Sequence, residues 1–156
     1  PQFVLPSPDK AEIREYLGLT GTSQTFTIDH IAADVVIIEI FSMYCPFCQL
    51  EAPKVNELDR RIRKDRDLAG RVKIIGIGVG NSPFEVDYFR KTYQIDFPLF
   101  PDEDFTIHKQ AGEVRTPFFI GVKKNASAEP IIFLSHLGGF ESAENFLKQI
   151  KSGSGL

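Results

Sequence analysis

The chain has 156 residues, of which 42% are hydrophobic and 25% charged, and it carries a formal net charge of −3. At about 100–200 residues per domain, this length and composition predict one ordinary globular domain with room for a hydrophobic core. The weakly acidic charge balance argues against a nucleic-acid-binding protein, and no apolar run approaches the ~20 residues needed to cross a bilayer.

The N-terminal segment, residues 1–24, is predicted to cover a larger domain. It contains a short amphipathic stretch at residues 9–16, which is typical of a helix. The domain itself is placed at residues 25–151 and begins with a short strand at residues 25–28. The Ser- and Gly-rich end, residues 152–156, predicts a flexible tail.

The most apolar segment of the chain, residues 35–41, predicts a buried strand that is interrupted only by Glu39. After a short turn, residues 46–66 predict a long helix. Residues 72–79 then form a second apolar run, whose continuous character is typical of a parallel sheet covered on both faces. The first half of the domain therefore predicts an α/β fold.

The second half continues this alternation of helices and strands. Residues 81–83, Asn-Ser-Pro, open a helix with a cap followed by proline at the first helical position. A short helix is predicted at residues 104–111. Strands at 118–122 and 131–136 are close enough along the chain to form an antiparallel hairpin, and Ser142 caps a closing helix that runs to residue 151.

Cys45 and Cys48 are the only two cysteines, and they stand where the first buried strand gives way to the long helix. At a helix N-terminus, unpaired backbone N–H groups and the helix dipole favour a thiolate, which is the reactive form of cysteine. A structural zinc site usually takes four ligands, and the three histidines provide no second ligand pair. The spacing therefore predicts a redox-active pair, with no metal and no other cofactor.

Four features of the chain together resemble the thioredoxin fold. An acidic residue, Glu39, lies six positions before Cys45, and the two cysteines form a C-x-x-C motif. Pro53 follows Cys45 by eight positions, and Thr116-Pro117 precedes an apolar strand. The C-x-x-C motif alone is a weak signal, but its placement relative to the other three features is specific.

Within that fold, the chain is most similar to the TlpA/ResA-like thiol–disulfide oxidoreductases. The resemblance covers residues 25–150 and is carried by residues 45–53 and by an insertion around residues 81–101. Two positions depart from the family pattern. Tyr44 stands where the family usually has Trp, and Phe47 stands where Pro or His is common.

The resemblance implies a central mixed β-sheet with helices on both faces and the activity of a protein disulfide oxidoreductase. It implies that Cys45 attacks the partner and that Cys48 resolves the mixed disulfide. It also implies that Pro117 is cis and faces the cysteines, so that the Thr116 backbone can pair with an extended substrate. Tyr44 and Phe47 beside the cysteines predict an apolar docking rim.

Glu39 is a candidate catalytic acid because it stands in the middle of an apolar strand. Burial raises the pKa of a carboxyl group, which would let Glu39 relay the proton of Cys48. The alternative is a structural carboxylate paired with a lysine.

The expected partners are protein thiols and disulfides, together with a redox protein that donates or accepts electrons; no nucleic acid is expected. By resemblance, the protein is predicted to work in the periplasm or elsewhere outside the cytoplasm, with a signal or membrane anchor upstream of Pro1. The cytoplasm is the alternative, since C-x-x-C pairs cycle in both compartments.

Two other functions remain open from the sequence. One is a peroxiredoxin-like thiol peroxidase, whose motif is P-x-x-x-[ST]-x-x-C. Ser42 fits its hydroxyl position and Arg115 could bind a peroxide oxygen, but Ile38 stands where the motif needs proline. The other is a redox-inactive module that binds peptides in the groove beside Pro117.

Overall fold

The computed structural model of the protein describes residues 2–156, which form seven β-strands and five α-helices. The strands are β1 Val4–Pro6, β2 Thr25–Thr27, β3 Val35–Phe41, β4 Val72–Val79, β5 Leu99–Asp102, β6 Phe118–Asn125 and β7 Ala128–Leu137. The helices are α1 Ala11–Leu17, α2 Pro46–Lys64, α3 Pro83–Thr92, α4 Thr106–Gln110 and α5 Ala143–Ser154.

Five strands form the central sheet, in the order β5-β4-β3-β6-β7. Strands β3, β4 and β5 are parallel, whereas β6 runs antiparallel to β3 and β7 runs antiparallel to β6. Every residue of β3 is buried, because this strand lies at the centre of the sheet and both of its faces are covered. The predicted mixed sheet is confirmed.

The two faces of the sheet carry separate layers of the core. Successive side chains of a strand point to opposite faces, so Val35 and Ile37 pack with α2, α3 and α5, whereas Val36 and Ile38 pack with α1, α4 and the β1–β2 pair. Each fully buried side chain of this kind contributes roughly 1.5–3 kcal/mol relative to exposure. The predicted arrangement of helices on both faces is confirmed.

The N-terminal segment covers the second of these faces. Its strand β1 pairs with β2 in antiparallel fashion, and Phe3, Leu5 and Leu17 are fully buried against the sheet. The hydroxyl of Tyr16 donates to the Ile74 carbonyl at 3.3 Å and accepts from the Ile74 N–H at 2.9 Å. The segment therefore shares the core of the domain that it covers.

The predicted flexible tail at residues 152–156 is wrong. Helix α5 continues through Ser154, whose side chain is buried and donates to the Ile150 carbonyl at 2.6 Å. The Ser154 carbonyl accepts from Lys123 Nζ at 2.6 Å, and Leu156 packs against the core. A Ser-Gly composition favours disorder only where no tertiary contact holds the chain, and here β6 and the core supply such contacts.

The positions of the loops at one edge of the sheet follow from strand direction. Strand β3 ends at Phe41 and the parallel strand β4 ends at Val79, while antiparallel β6 begins at Phe118 opposite Ile40. The segments 42–45, 80–82 and 115–117 therefore meet at this edge. We call it the cysteine edge, because segment 42–45 ends at Cys45.

Candidate active site

Cys45 is the N-cap residue of α2 and lies partly exposed at the cysteine edge. Its sulfur accepts a hydrogen bond from the Cys48 backbone N–H at 3.3 Å, and its thiol donates to the Thr116 carbonyl at 3.5 Å. Pro46 occupies the first helical position, where a missing N–H costs nothing. Cys48 lies one turn further into the helix and is fully buried.

The pKa values of the two thiols move in opposite directions. Burial acts to raise the pKa of Cys45, but hydrogen bonds from the side chains of Cys48 and Thr116 and from the backbone N–H groups of Cys48 and Phe47 outweigh it, so that the net pKa is lowered. Burial raises the pKa of Cys48, and the hydrogen bond to Cys45 raises it further. The arrangement therefore pairs a thiol that ionises readily at the surface with one that keeps its proton in the core.

The Thr116–Pro117 peptide bond is cis, and Pro117 is buried directly before β6. Its carbonyl accepts from the Gly138 N–H at 2.8 Å, which ties the loop after β7 to the cysteine edge. The Thr116 carbonyl accepts the hydrogen bond from the Cys45 thiol. The structure thus brings Thr116 into contact with Cys45, with Pro117 next to it in the chain.

Glu39 lies in the core on the same face of the sheet as α2. The face follows from its position in β3, two residues from Ile37 and two from Phe41, which both pack on that side. Burial raises the pKa of Glu39 to about 8, with smaller contributions from the charges of Glu51 and Cys45. Within residues 2–156, no lysine or arginine forms an ion pair with Glu39, so the lysine-paired alternative has no support.

Glu51 is a buried acid at the site that the sequence analysis did not single out. Its carboxylate accepts from the Phe140 N–H at 2.9 Å and lies 3.5 Å from Lys54 Nζ, which also donates to the Phe140 carbonyl. A Cβ atom on Gly139 would lie 2.4 Å from this carboxylate, so a larger residue there would displace the Glu51 side chain. The available signal was spacing, since Glu51 stands three residues after Cys48 on one helix face.

Asn81 is the second residue that the sequence analysis missed, because it was read as part of a helix cap. The cap is Ser82, which forms a capping box with Glu85. Asn81 is instead buried with its side chain directed at the segment before Cys45. Its carbonyl oxygen accepts from the Met43 N–H at 2.9 Å, and its amide donates to Ser42 Oγ at 3.5 Å.

The remaining predicted site residues lie at the surface around Cys45. Tyr44 and Phe47 are both exposed, and the Tyr44 hydroxyl donates to the Glu85 carboxylate. The Ser42 hydroxyl accepts from the Tyr44 N–H at 3.2 Å, and Arg115 is exposed.

Residues 2–156 contain neither a metal-binding cluster nor a helix able to span a membrane. No group of three or more His, Cys, Asp or Glu side chains in these residues is arranged to hold a metal ion. Over the same residues, no helix has both the length and the apolar character that a membrane span requires.

Comparison with known proteins gives one family and one fold. The sequence matches the AhpC/TSA family over residues 1–134, and no curated protein sequence matches the chain. A candidate thiol:disulfide interchange protein DsbE from Chlorobium tepidum has a similar structure, with a TM-score of 0.72 at 16% identity over 98% of this chain and 93% of that one.

Two further structures agree with this fold. StoA from Bacillus subtilis has a TM-score of 0.65 at 17% identity and covers 96% of both chains. A secreted Mycobacterium tuberculosis disulfide oxidoreductase homologous to E. coli DsbE has a TM-score of 0.62 at 18% identity, over 88% of this chain and 98% of that one. Together with the sheet order, these similarities show the thioredoxin-like fold that the sequence predicted.

Proposed function

This chain belongs to the AhpC/TSA family, and from that premise we propose that it is a thiol–disulfide oxidoreductase that exchanges its Cys45–Cys48 disulfide or dithiol with partner proteins. The observation that carries the proposal is the asymmetry of the two thiols. Cys45 is partly exposed with a lowered pKa, whereas Cys48 is buried with a raised pKa one helical turn away. Attack and resolution need these two different properties.

The exchange proceeds in two displacements. The Cys45 thiolate attacks one sulfur of a partner disulfide, so that the partner S–S bond breaks and its second sulfur leaves as a thiolate. Cys48 then loses its proton and attacks Cys45 Sγ, which releases the first partner sulfur. Two electrons pass from the dithiol to the partner disulfide, and the reverse sequence oxidises a partner dithiol.

Glu39 is proposed to accept the proton of Cys48 during the second displacement. A pKa of about 8 leaves this carboxyl able to gain and lose a proton near neutral pH. The charge of Cys45 contributes to that pKa, so Glu39 and the thiols titrate as a coupled set.

The contacts to the partner are proposed to come from both sides of Cys45. Thr116 and Pro117 border the sulfur on one side, with an extended partner segment pairing to the Thr116 backbone. Tyr44 and Phe47 present exposed rings on the other side, where they can exclude water from the reacting sulfurs. The partners are proteins with thiols or disulfides, including one that restores the redox state of the pair.

The peroxidase alternative has less support. The Ser42 hydroxyl is engaged by the Tyr44 N–H and the Asn81 amide. Ile38, where the peroxidase motif requires proline, is buried in the middle of β3 and pairs with both neighbouring strands. The chain thus shares Cys45, the Ser42 position and the fold with that chemistry, but lacks the motif's proline.

We also infer that the protein works outside the cytoplasm, because the similar Mycobacterium tuberculosis protein is described as secreted. The native gene is then expected to encode an export signal or a membrane anchor ahead of this segment. Fractionation of cells that express the native gene checks this; recovery with a cytoplasmic marker protein would overturn it.

Insulin reduction by dithiothreitol, with peroxide consumption measured on the same preparations, tests the proposed activity. The wild-type protein should accelerate insulin reduction, and Cys45→Ser should abolish the acceleration. Peroxide consumption should not exceed that of Cys45→Ser. Fast peroxide consumption without insulin reduction would identify a peroxidase, and neither activity would leave a redox-inactive binding module.

A further inference from the structure

Half of the exposed large apolar side chains in residues 2–156 lie beside Cys45 in the chain or near the starts of α2 and α3. Ten such residues are exposed, and five of them lie directly before Cys45 or in the first two turns of α2 and α3. Their exposed fractions are 68% for Tyr44, 71% for Phe47, 75% for Leu50, 78% for Phe84 and 55% for Tyr88. Exposure of this much apolar surface around a reactive group indicates a binding surface.

These five residues belong to one surface because both helices start at the cysteine edge. Phe47 and Leu50 lie three positions apart on α2, and Phe84 and Tyr88 lie four apart on α3, so each pair occupies one helix face. Tyr44 joins the two pairs, since it adjoins Cys45 and its hydroxyl donates to Glu85 of α3. We call these five residues the apolar collar.

The acidic side chains of α3 next to the apolar collar already have partners within the protein. Glu85 accepts from the Ser82 N–H and from Tyr44, and Asp87 pairs with Arg90 and Lys91. The first five residues of α2, positions 46–50, carry no charge. A partner segment that covers the collar on the α2 side therefore finds mainly apolar surface.

We propose that the apolar collar, with Phe84 and Tyr88 of α3 as its outer part, binds a polypeptide partner whose reacting cysteine is flanked by large apolar side chains. The proposal rests on the exchange activity proposed above, because the partner cysteine must reach Cys45. Aromatic side chains are enriched and charged ones depleted at the core of protein interfaces, which is the composition of this surface. Selectivity among partners then resides partly in α3, outside the C-x-x-C motif.

The test compares three probes as oxidants of the reduced protein. Two are cysteine peptides linked to glutathione, of equal length and charge, with Phe and Leu beside the cysteine in one and Ser and Asn in the other. The third is oxidised glutathione, which is too small to reach α3. For the wild type, the second-order rate constant for the apolar peptide should exceed that for the polar peptide by about tenfold or more.

The decisive variant is Phe84→Ser combined with Tyr88→Ser. The ratio of its rate constant for the apolar peptide to that for oxidised glutathione should fall about tenfold from the wild-type ratio, because two anchoring rings are lost. The matched control is Ile131→Thr with Ile132→Thr, which removes exposed apolar side chains at the far end of β7. That control should keep the wild-type ratio.

The outcomes separate this proposal from the proposed function. If the wild type reacts with oxidised glutathione but does not distinguish the peptides, or if the α3 variant keeps the wild-type ratio, the collar proposal is wrong and the exchange activity stands. An equal fall in the β7 control would also overturn it, since the effect would not belong to α3. A wild type that reacts with none of the probes overturns both.

Discussion

Cys45 and Cys48 differ because one helical turn carries the chain from a partly exposed cap into the core. The backbone N–H groups at the start of α2 stabilise negative charge on the first sulfur, while the second sulfur is surrounded by apolar side chains. Glu39 extends this asymmetry inward, because its carboxyl group lies in the core beneath α2. The reactivity of these three side chains is therefore set by their different exposure to water.

Cys45 should react with iodoacetamide at least about tenfold faster than Cys48 at pH 7, because its thiolate fraction is larger and its sulfur is accessible. Peptide mass spectrometry after short labelling times gives both rates. The Cys45 rate should rise with pH along a titration centred below the ordinary cysteine pKa. Faster labelling of Cys48 would reverse the assigned roles.

Glu39→Gln should change the pH dependence of stability. The pKa of Glu39 is raised from 4.5 to about 8, so the folded protein binds this proton more tightly than the unfolded chain does. This tighter binding stabilises the folded protein by about 1.4 kcal/mol for each unit by which the pKa is raised. The stabilisation is complete below pH 4.5 and is lost as the pH rises through 8. The free energy of unfolding of the variant, relative to the parent, should therefore increase from pH 5 to pH 9.

Urea unfolding at several pH values measures this, with both cysteines replaced by serine so that thiol titration does not contribute. Glu51→Gln is the matched variant, since the charge of Glu51 raises the pKa of Glu39. It should move the midpoint of the pH dependence to lower pH without removing it. Parallel stability curves for Glu39→Gln and its parent would show that Glu39 does not titrate in this range.

Glu39→Gln should also slow the resolving step, in which Cys48 must lose its proton. Stopped-flow turnover of a model disulfide across pH 5–9 is the measurement. The loss of rate should grow as pH rises through about 8, because Glu39 then becomes the carboxylate that can accept a proton, while burial raises the pKa of Cys48 and keeps this thiol protonated across the range. Identical profiles would leave Glu39 as a structural acid.

At the scale of elements, the site depends on how helices and loops are fastened together at the cysteine edge. Asn81 joins the end of β4 to the segment before Cys45, and Glu51 joins α2 to the loop after β7. Glycine at position 78 leaves room for the Asn81 side chain, because a Cβ atom there would lie 2.9 Å from the Asn81 oxygen. These contacts set the position of Cys45 without touching the partner.

Asn81→Ala should lower the exchange rate more than its stability loss explains. The change leaves the Met43 N–H without its buried acceptor, which costs about 1–3 kcal/mol, and frees the segment that positions Cys45. The matched control is Asn56→Ala, which removes a 2.8 Å hydrogen bond to the Tyr93 carbonyl between α2 and α3, away from the cysteines. Melting temperature and exchange rate are measured for both, and an equal loss of rate would refute the positioning role.

At the scale of the molecule, the sequence correctly predicted the strands that consist of long apolar runs. Strands β3 and β4 have the bounds that were predicted, because each is a continuous buried run bordered by turns. The short strands β1 and β5 were missed, since three or four residues carry too little pattern and their pairing is decided by tertiary contacts. The end of α5 was missed for the same reason.

The candidate site likewise contains residues that the sequence reveals and residues that only tertiary contacts reveal. The C-x-x-C motif and Thr116-Pro117 could be found in the sequence because each has a recognisable spacing. The contacts of Glu51 and Asn81 could not be predicted, because their partners lie 89 and 38 positions away along the chain, and the spacing of Glu51 from Cys48 indicates only a shared helix face. The collar residues of α3 become visible only when the two helices are seen to begin at the same edge.

The most direct test of the central claim is to trap the mixed disulfide. Reduced Cys48→Ser, incubated with insulin and quenched with acid, should accumulate a covalent adduct, and peptide mass spectrometry should place the bond at Cys45. Cys45→Ser should form none, because Cys48 is buried and keeps its proton. Absence of an adduct at Cys45, or equal adduct formation by Cys45→Ser, would contradict the account.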